Sequence, residues 1–233
     1  PNNIIYINSS NQSTWSSPAI IASTNNLDLP SIAIGPSNEL RVCYIDLTQG
    51  DLMYIGSDNL GLNWSGAVVN TSAQDRCDIE VDSTGMIHIV AQSDGPDTVY
   101  HYNSSNGVNW STTLINDGTN NRNPTIAIGN NDQIYVAWGE NAASSKIWFA
   151  NSSDKGKSWT TRSIQVNATS TLNDALYANI VVDANNNLHI FYNLDNNTAD
   201  YVVGYINSTN EGFSFSNPII LEVARTNPSS ENA

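Results

Sequence analysis

One pattern recurs four times along the 233-residue chain, and it constrains the fold more than any other feature. It reads PSIAIGPSNELRVCY at 30–44, CDIEVDSTGMIHIVA at 77–91, PTIAIGNNDQIYVAW at 124–138 and ANIVVDANNNLHIFY at 178–192. The matching isoleucines, Ile32, Ile79, Ile126 and Ile180, are 47, 47 and 54 residues apart. Each copy alternates apolar and polar residues at period two, passes through a short Asn/Asp/Gly turn, and alternates again. This is the pattern of a β-hairpin, with Ile32 and Ile34 set against Leu40 and Val42 in the first copy.

A third alternating run follows in each unit, at 52–57, 98–103, 146–151 and 201–207. A fourth begins at an aromatic residue, at 64–69, 110–115, 159–164 and 215–221. Four short antiparallel strands every ~45 residues is the period of a propeller blade, and no window has helical periodicity. The expected fold is therefore all-β, a β-propeller of four-stranded antiparallel blades forming one domain over 1–233. Complete blades fall at about 30–69, 77–115, 124–166 and 176–222, preceded by a half blade at 4–21 and followed by a tail at 223–233. The tail segment Arg225-Thr-Asn-Pro228 is similar to Arg122-Asn-Pro124, the approach to a first strand. The ring is thus left open in this segment, to be closed by further chain, by another subunit, or not at all.

The turn between third and fourth strands reads SSDKGKSW at 152–159, with SDNLGLNW at 57–64 and STNEGFSF at 208–215. Forms one residue shorter are SSNGVNW at 104–110 and SSNQSTW at 9–15. These resemble the Asp box, S-x-D-x-G-x-x-W, of the BNR-repeat, sialidase-like propellers, and the resemblance runs through the whole chain. The residues that carry it are Ser57, Asn59, Gly61 and Trp64; Ser104, Asn106, Gly107 and Trp110; Ser152, Asp154, Gly156 and Trp159; Ser208, Asn210, Gly212 and Phe215; and Trp15 in the first, short copy. An Asp or Asn carbonyl oxygen accepts hydrogen bonds from N–H groups of its own turn, glycine supplies φ > 0, and the aromatic buries apolar area. Asn replaces Asp in four of the five copies, and Asn cannot transfer protons, so the motif reads as scaffold.

Acidic residues outnumber basic ones 22 to 8, and the net charge of −14 argues against nucleic acid as a partner. No apolar run approaches the ~20 residues needed to cross a bilayer. Cys43 and Cys77 have no zinc-ligand spacing; pairing and two buried thiols both remain open. Ten Asn-x-Ser/Thr sequons occur, with Asn70, Asn167 and Asn196 the candidates for glycosylation outside the turns. Few lysines and an Asn/Ser/Thr-rich surface point to a secreted or cell-surface protein.

By the same resemblance, the ligand face is built from the loops leading into each first strand, 22–30, 70–77, 116–123 and 167–176. The loops from second to third strand, 46–51, 92–97, 139–145 and 193–199, complete it. The sialidases carry Arg-x-Pro at such a place, as part of an arginine triad gripping the substrate carboxylate. Arg122-Asn123-Pro124 fits, Arg76 precedes Cys77, and Arg225 lies near the chain end; the planar guanidinium suits a carboxylate. The competing reading pairs these arginines with Asp75, Asp78 or Asp117. Acids on the expected face are Asp46, Asp94, Asp97, Glu140 and Asp195.

Catalysis of the sialidase type needs a tyrosine nucleophile with a Glu partner and an Asp acid/base. Here Tyr44, Tyr54, Tyr100, Tyr135, Tyr192 and Tyr205 sit at strand positions that read as packing. His88 and His189 share one repeat position with Arg41 and Tyr135, an expected outward position, and His101 reads as isolated. No cofactor is expected, although the turns 183–187 and 130–132 offer oxygen ligands for calcium. The leading reading is a non-catalytic propeller that recognises a glycan or protein. The alternatives are a sialidase-like exo-glycosidase with an arginine-lined cleft, and a surface-layer or filament subunit self-associating through unpaired strands.

Overall fold

A computed structural model describes residues 2–24, 26–72, 74–95, 97–118, 120–140, 146–166, 174–195 and 201–223. Arg225, Asn167 and Asn196 lie outside the described residues. Every element is a strand. β1 (Asn3–Tyr6) and β2 (Ala19–Ser23) form an antiparallel pair, and β3 (Leu27–Ile34), β4 (Leu40–Asp46), β5 (Asp51–Ser57) and β6 (Ser65–Asn70) form the first four-stranded sheet. The second comprises β7 (Gln74–Val81), β8 (Ile87–Ser93), β9 (Val99–Ser104) and β10 (Ser111–Asn116). β11 (Asn121–Ile128), β12 (Ile134–Glu140), β13 (Lys146–Ser152) and β14 (Thr160–Gln165) form the third set. β15 (Asp174–Val182), β16 (Leu188–Asp195), β17 (Tyr201–Ser208) and β18 (Ile219–Val223) form the fourth. A single bridge, Glu140 to Ala175, joins the third and fourth sets into one continuous sheet.

The chain divides into two compact units, Pro1–Gly95 with Tyr100–Thr113, and Pro96–Val99 with Leu114–Ala233. Within each unit the core lies between successive sheets, a packing consistent with propeller blades. Val42 and Tyr44 of β4 join the core shared with Ile4 of β1, whereas Cys43 and Ile45 of the same strand join the core shared with Ile79 and Ile89. Alternate side chains of one strand thus feed two cores, because each middle strand is covered on both faces. β8 is buried at all seven positions.

That two-sided burial corrects the expected outward position of His88. His88 and His101 are 0% and 1% exposed, and His88 Nδ1 lies 3.0 Å from His101 Nε2. Period-two alternation marks an outward face only where one face meets water, and here neither does. His189 does stay partly exposed, 2.7 Å from the Tyr205 hydroxyl. Cys43 and Cys77, left open by the sequence, form a disulfide that links β4 to β7. The last fourth strand starts at Ile219 rather than at Phe215, since Pro218 cannot donate to the ladder.

The repeated turns hold themselves together in one way. In the first sheet the Ser57 hydroxyl donates to Asn59 Oδ1 (3.0 Å) and accepts from the Gly61 amide (2.9 Å), and Asn59 Oδ1 accepts from the Asn63 amide (2.8 Å). Ser152, Asp154, Gly156 and Ser158 repeat this geometry, as do Ser208, Asn210, Gly212 and Ser214. Ser104, Asn106, Gly107 and Asn109 do so with one residue fewer. The turn aromatics then reach the preceding sheet: Trp64 meets Tyr6, Trp110 meets Tyr54 and Phe215 meets Phe149, all edge-on. Trp15 departs from this pattern and is 62% exposed. Among the described residues no earlier sheet precedes the β1–β2 pair to receive it.

Candidate ligand-binding site

Each first strand begins with an irregularity. β11 pairs Asn121 with Glu140 and Arg122 with Gly139, then shifts register before Thr125 meets Ala137. Asn123, at φ 53, stands in the extra space. β3 shifts between Asp28 and Ser31, β7 between Gln74 and Arg76, and β15 between Leu176 and Asn179. Such bulges re-aim side chains at strand ends. One consequence was not legible in the residue count. Arg76 lies three residues before Ile79 and Arg122 four before Ile126. Yet Arg76 pairs with Gln92 and Arg122 with Gly139, which are matching places in their own ladders. Asp28 and Leu176 hold that place in the other two sheets.

Arg122 is fixed from two directions. Its Nη1 lies 2.6 Å from Asp97 Oδ1, with side-chain exposures of 31% and 14%. Next to it Asn121 is buried and uses its whole amide. Its Nδ2 donates to the carbonyls of Asp97 (2.8 Å) and Gly118 (2.6 Å), and its Oδ1 accepts from the Trp138 indole N–H (2.7 Å). Trp138 is fully buried and stacks on Trp148 at 6.2 Å. Asp97 and Gly118 are therefore tied through one asparagine to a buried indole. The matching place in β7 holds Gln74, also buried, whose side-chain Nε2 donates to the Ser72 carbonyl (2.5 Å). Sequence reading missed both amides, because a single Asn or Gln at a strand start carries no motif. A guanidinium whose charge is met by Asp97, but which stays partly exposed, can hydrogen-bond a neutral hydroxyl directly. A carboxylate has to compete with Asp97.

No family model matches this chain, and no curated protein matches it. Solved structures do. The chain is similar to the Hadza microbial sialidase Hz136, with a TM-score of 0.66 at 14% identity over 95% of this chain and 53% of that one. It is similar to a PL25 ulvan lyase bound to -[GlcA(1-4)Rha3S]-, with a TM-score of 0.63 at 10% identity over 88% of this chain and 63% of the other. A protein of unknown function from Dyadobacter fermentans DSM 18053 aligns with a TM-score of 0.62 at 10% identity, over 88% of this chain and 80% of that one. The likeness is one of fold. The chain spans about half the length of the sialidase, 53%.

The other expected residues are placed as follows. Asp46 is buried and caps its own turn, accepting from the Thr48 amide (3.0 Å) and the Thr24 hydroxyl (3.2 Å). Asp75 is the extra residue of the β7 bulge, Glu140 ends β12 opposite Asn121, and Asp94 opens the turn after β8. Asp195 ends β16 opposite Asp174. Asp46, Asp75, Arg76 and Asp94 belong to the first unit; Asp97, Arg122, Glu140 and Asp195 belong to the second. Asp75, Asp78 and Asp117 were the acids expected to pair with the strand-entry arginines; the carboxylate that meets Arg122, at 2.6 Å, is Asp97. Asp78 instead accepts from the Ser31 hydroxyl at 2.5 Å.

Burial pushes the Tyr135 and Tyr192 phenols up to about 12 and raises Tyr44, Tyr54 and Tyr102 as well. Each shift is opposite to what a nucleophilic phenolate requires. In the turn considered for calcium, Asp183 Oδ1 accepts from the Asn185 and Asn187 amides (2.8 Å each) and Oδ2 from Asn187 Nδ2 (2.8 Å). Among the described residues no group of three or more His, Cys, Asp or Glu side chains is arranged to hold a metal ion. No helix of the described residues is long and apolar enough to cross a membrane.

Proposed function

We propose that this chain is a secreted or cell-surface, non-catalytic propeller, built from Asp-box repeats in a single domain, that recognises a glycan. The observation that carries this reading is the Arg122 cluster. A buried Asn121–Trp138 peg holds an arginine whose charge Asp97 already meets. That arrangement favours directional hydrogen bonds to sugar hydroxyls over the grip of a free carboxylate. The raised tyrosines weigh against the exo-glycosidase alternative, and the Cys43–Cys77 disulfide agrees with an oxidising compartment. The structures it is similar to include a sialidase and a lyase with bound saccharide, which supports testing glycan ligands first.

A glycan-array screen of the purified chain, repeated with Arg122→Ala, tests the reading. Binding that weakens in the variant supports it. Hydrolysis of a fluorogenic sialoside by the wild-type chain, or binding indifferent to Arg122, overturns it.

A second reading, assembly through strand complementation, rests on β1. Among the described strands β1 pairs with β2 alone. Beside it lies an apolar groove of about 250 Å³ lined by Ile5, Ile7, Ile21 and Ile32. An unpaired edge of this kind can accept a strand. Light scattering that gives one constant monomer mass across a wide concentration range counts against it.

A further inference from the structure

A second pocket, sharing no residue with the Arg122 cluster, opens between the first and second sheets. Its volume is about 220 Å³ and its walls are mostly polar side chains and glycine. Arg41 of β4 forms the floor. Its Nη1 lies 2.7 Å from Asp58 Oδ1, it hydrogen-bonds the Tyr54 hydroxyl, and its side chain is 15% exposed. Arg41 Nε is buried and finds no acceptor among the described residues. The Ser65 and Ser105 side chains complete the wall, and Gly85 has open space where a Cβ would stand.

The repeat supplies its own control. Between the third and fourth sheets, Tyr135 occupies the place of Arg41, is fully buried and stacks on Phe149. Arg162 crosses that groove to the Phe213 carbonyl (2.9 Å), and Asn186, at the place of Gly85, accepts from the Asn130 amide (2.8 Å). There Tyr135 and Asn186 take the places of Arg41 and Gly85, and the open space between the two sheets lies instead along β14, lined by residues 162–165 and 213–218. In the first unit, with Arg41 in place of Tyr and Gly85 in place of Asn, the open space lies at the Arg41 place itself.

We propose that this pocket binds a small neutral polyol the size of a single pyranose ring. Its volume of about 220 Å³ lies below the ~300–1,000 Å³ of sites for drug-sized ligands. Its one cation and one anion cancel. The Asp58 carboxylate stands beside the guanidinium and repels an anionic ligand, while an apolar ligand would cover a mostly polar lining without hydrogen-bonding it. A sugar hydroxyl both donates and accepts, which matches guanidinium, carboxylate and serine hydroxyls lining one space.

The test is an amide NMR titration of the whole chain with the methyl glycosides of glucose, galactose and N-acetylglucosamine, and with sodium acetate. Saturable shifts of the Gly66, Gly85 and Gly107 amides are expected with at least one glycoside and not with acetate. Gly85→Asn is the blocking variant. Asn38 and Asn186 hold the matching turn places at φ 66 and 60, so the fold tolerates Asn there. It is expected to weaken glycoside binding at least about tenfold, about 1.4 kcal/mol, with the remaining amide spectrum unchanged. Arg41→Gln is expected to act in the same direction. No saturable shift with any glycoside, preference for acetate, or undiminished binding by Gly85→Asn overturns the proposal.

Discussion

Trp110, in the turn of the second sheet, meets Tyr54 of the first sheet edge-on, with ring centroids 5.3 Å apart at 64°. Gly107 makes the approach possible, since a Cβ there would lie 2.5 Å from the Tyr54 ring. The turn therefore joins one repeat to the one before it as well as closing its own hairpin. Trp110→Ala is expected to destabilise the chain by ~2–4 kcal/mol. Trp15→Ala, at an exposed ring, should cost less than ~0.5 kcal/mol. Urea denaturation of both variants checks the contrast, and equal losses would refute the joining role.

The disulfide joins β4 to β7 across a sequence separation of 34 residues. Cys43→Ala with Cys77→Ala is expected to cost ~2–4 kcal/mol, mostly by freeing the unfolded chain. Thermal unfolding with and without reductant should show the same loss in the wild-type chain and none in the double variant.

Glu80 is pushed up to about 7, by burial first and by neighbouring Asp78 second. Its folded pKa lies above its ordinary 4.5. The stability it contributes is thus complete below about 4.5 and is lost as pH rises through about 7. Glu80→Gln is expected to remove that loss, gaining about 1–3 kcal/mol over wild type above neutrality and little in mild acid. Denaturation midpoints of both proteins across this range provide the measurement.

Asp154 behaves in the opposite sense. Hydrogen bonds from Ser158, through hydroxyl and amide, and from Ser152 hold its carboxyl down at about 2, below the ordinary 3.8. Its contribution is present above about 3.8 and is lost as pH falls through about 2. Asp154→Asn should keep the fold, because Asn59 and Asn210 already accept the same bonds. The difference between wild type and variant should shrink with acidification. A difference that stays constant in acid would contradict the assignment.

Strand count and turn chemistry were readable because both depend on local spacing. Ile32, Ile79, Ile126 and Ile180 mark the hairpins directly, and the Ser–Asn/Asp–Gly spacing dictates the turn bonds. What failed to show was set by tertiary packing. Alternation cannot tell whether a strand has one buried face or two, so His88 was expected outside and lies at 0% exposure beside His101. Nor can a residue count foresee a bulge, so the matching ladder places of Arg76 and Arg122 emerge only from the pairing. Asn121 was silent for a related reason: its role comes from Trp138, 17 residues away on the next strand. The acids followed the same rule, with Asp46 spent on its own turn and Asp97 on Arg122.

The edge-on contacts have a direction. Tyr6 precedes Trp64, Tyr54 precedes Trp110, and Phe149 precedes Phe215, so in these three contacts the receiving ring is synthesised before the ring that seats on it. As the polypeptide leaves the ribosome, each new hairpin finds a completed surface already waiting. Through these three contacts assembly can keep pace with translation, one repeat at a time.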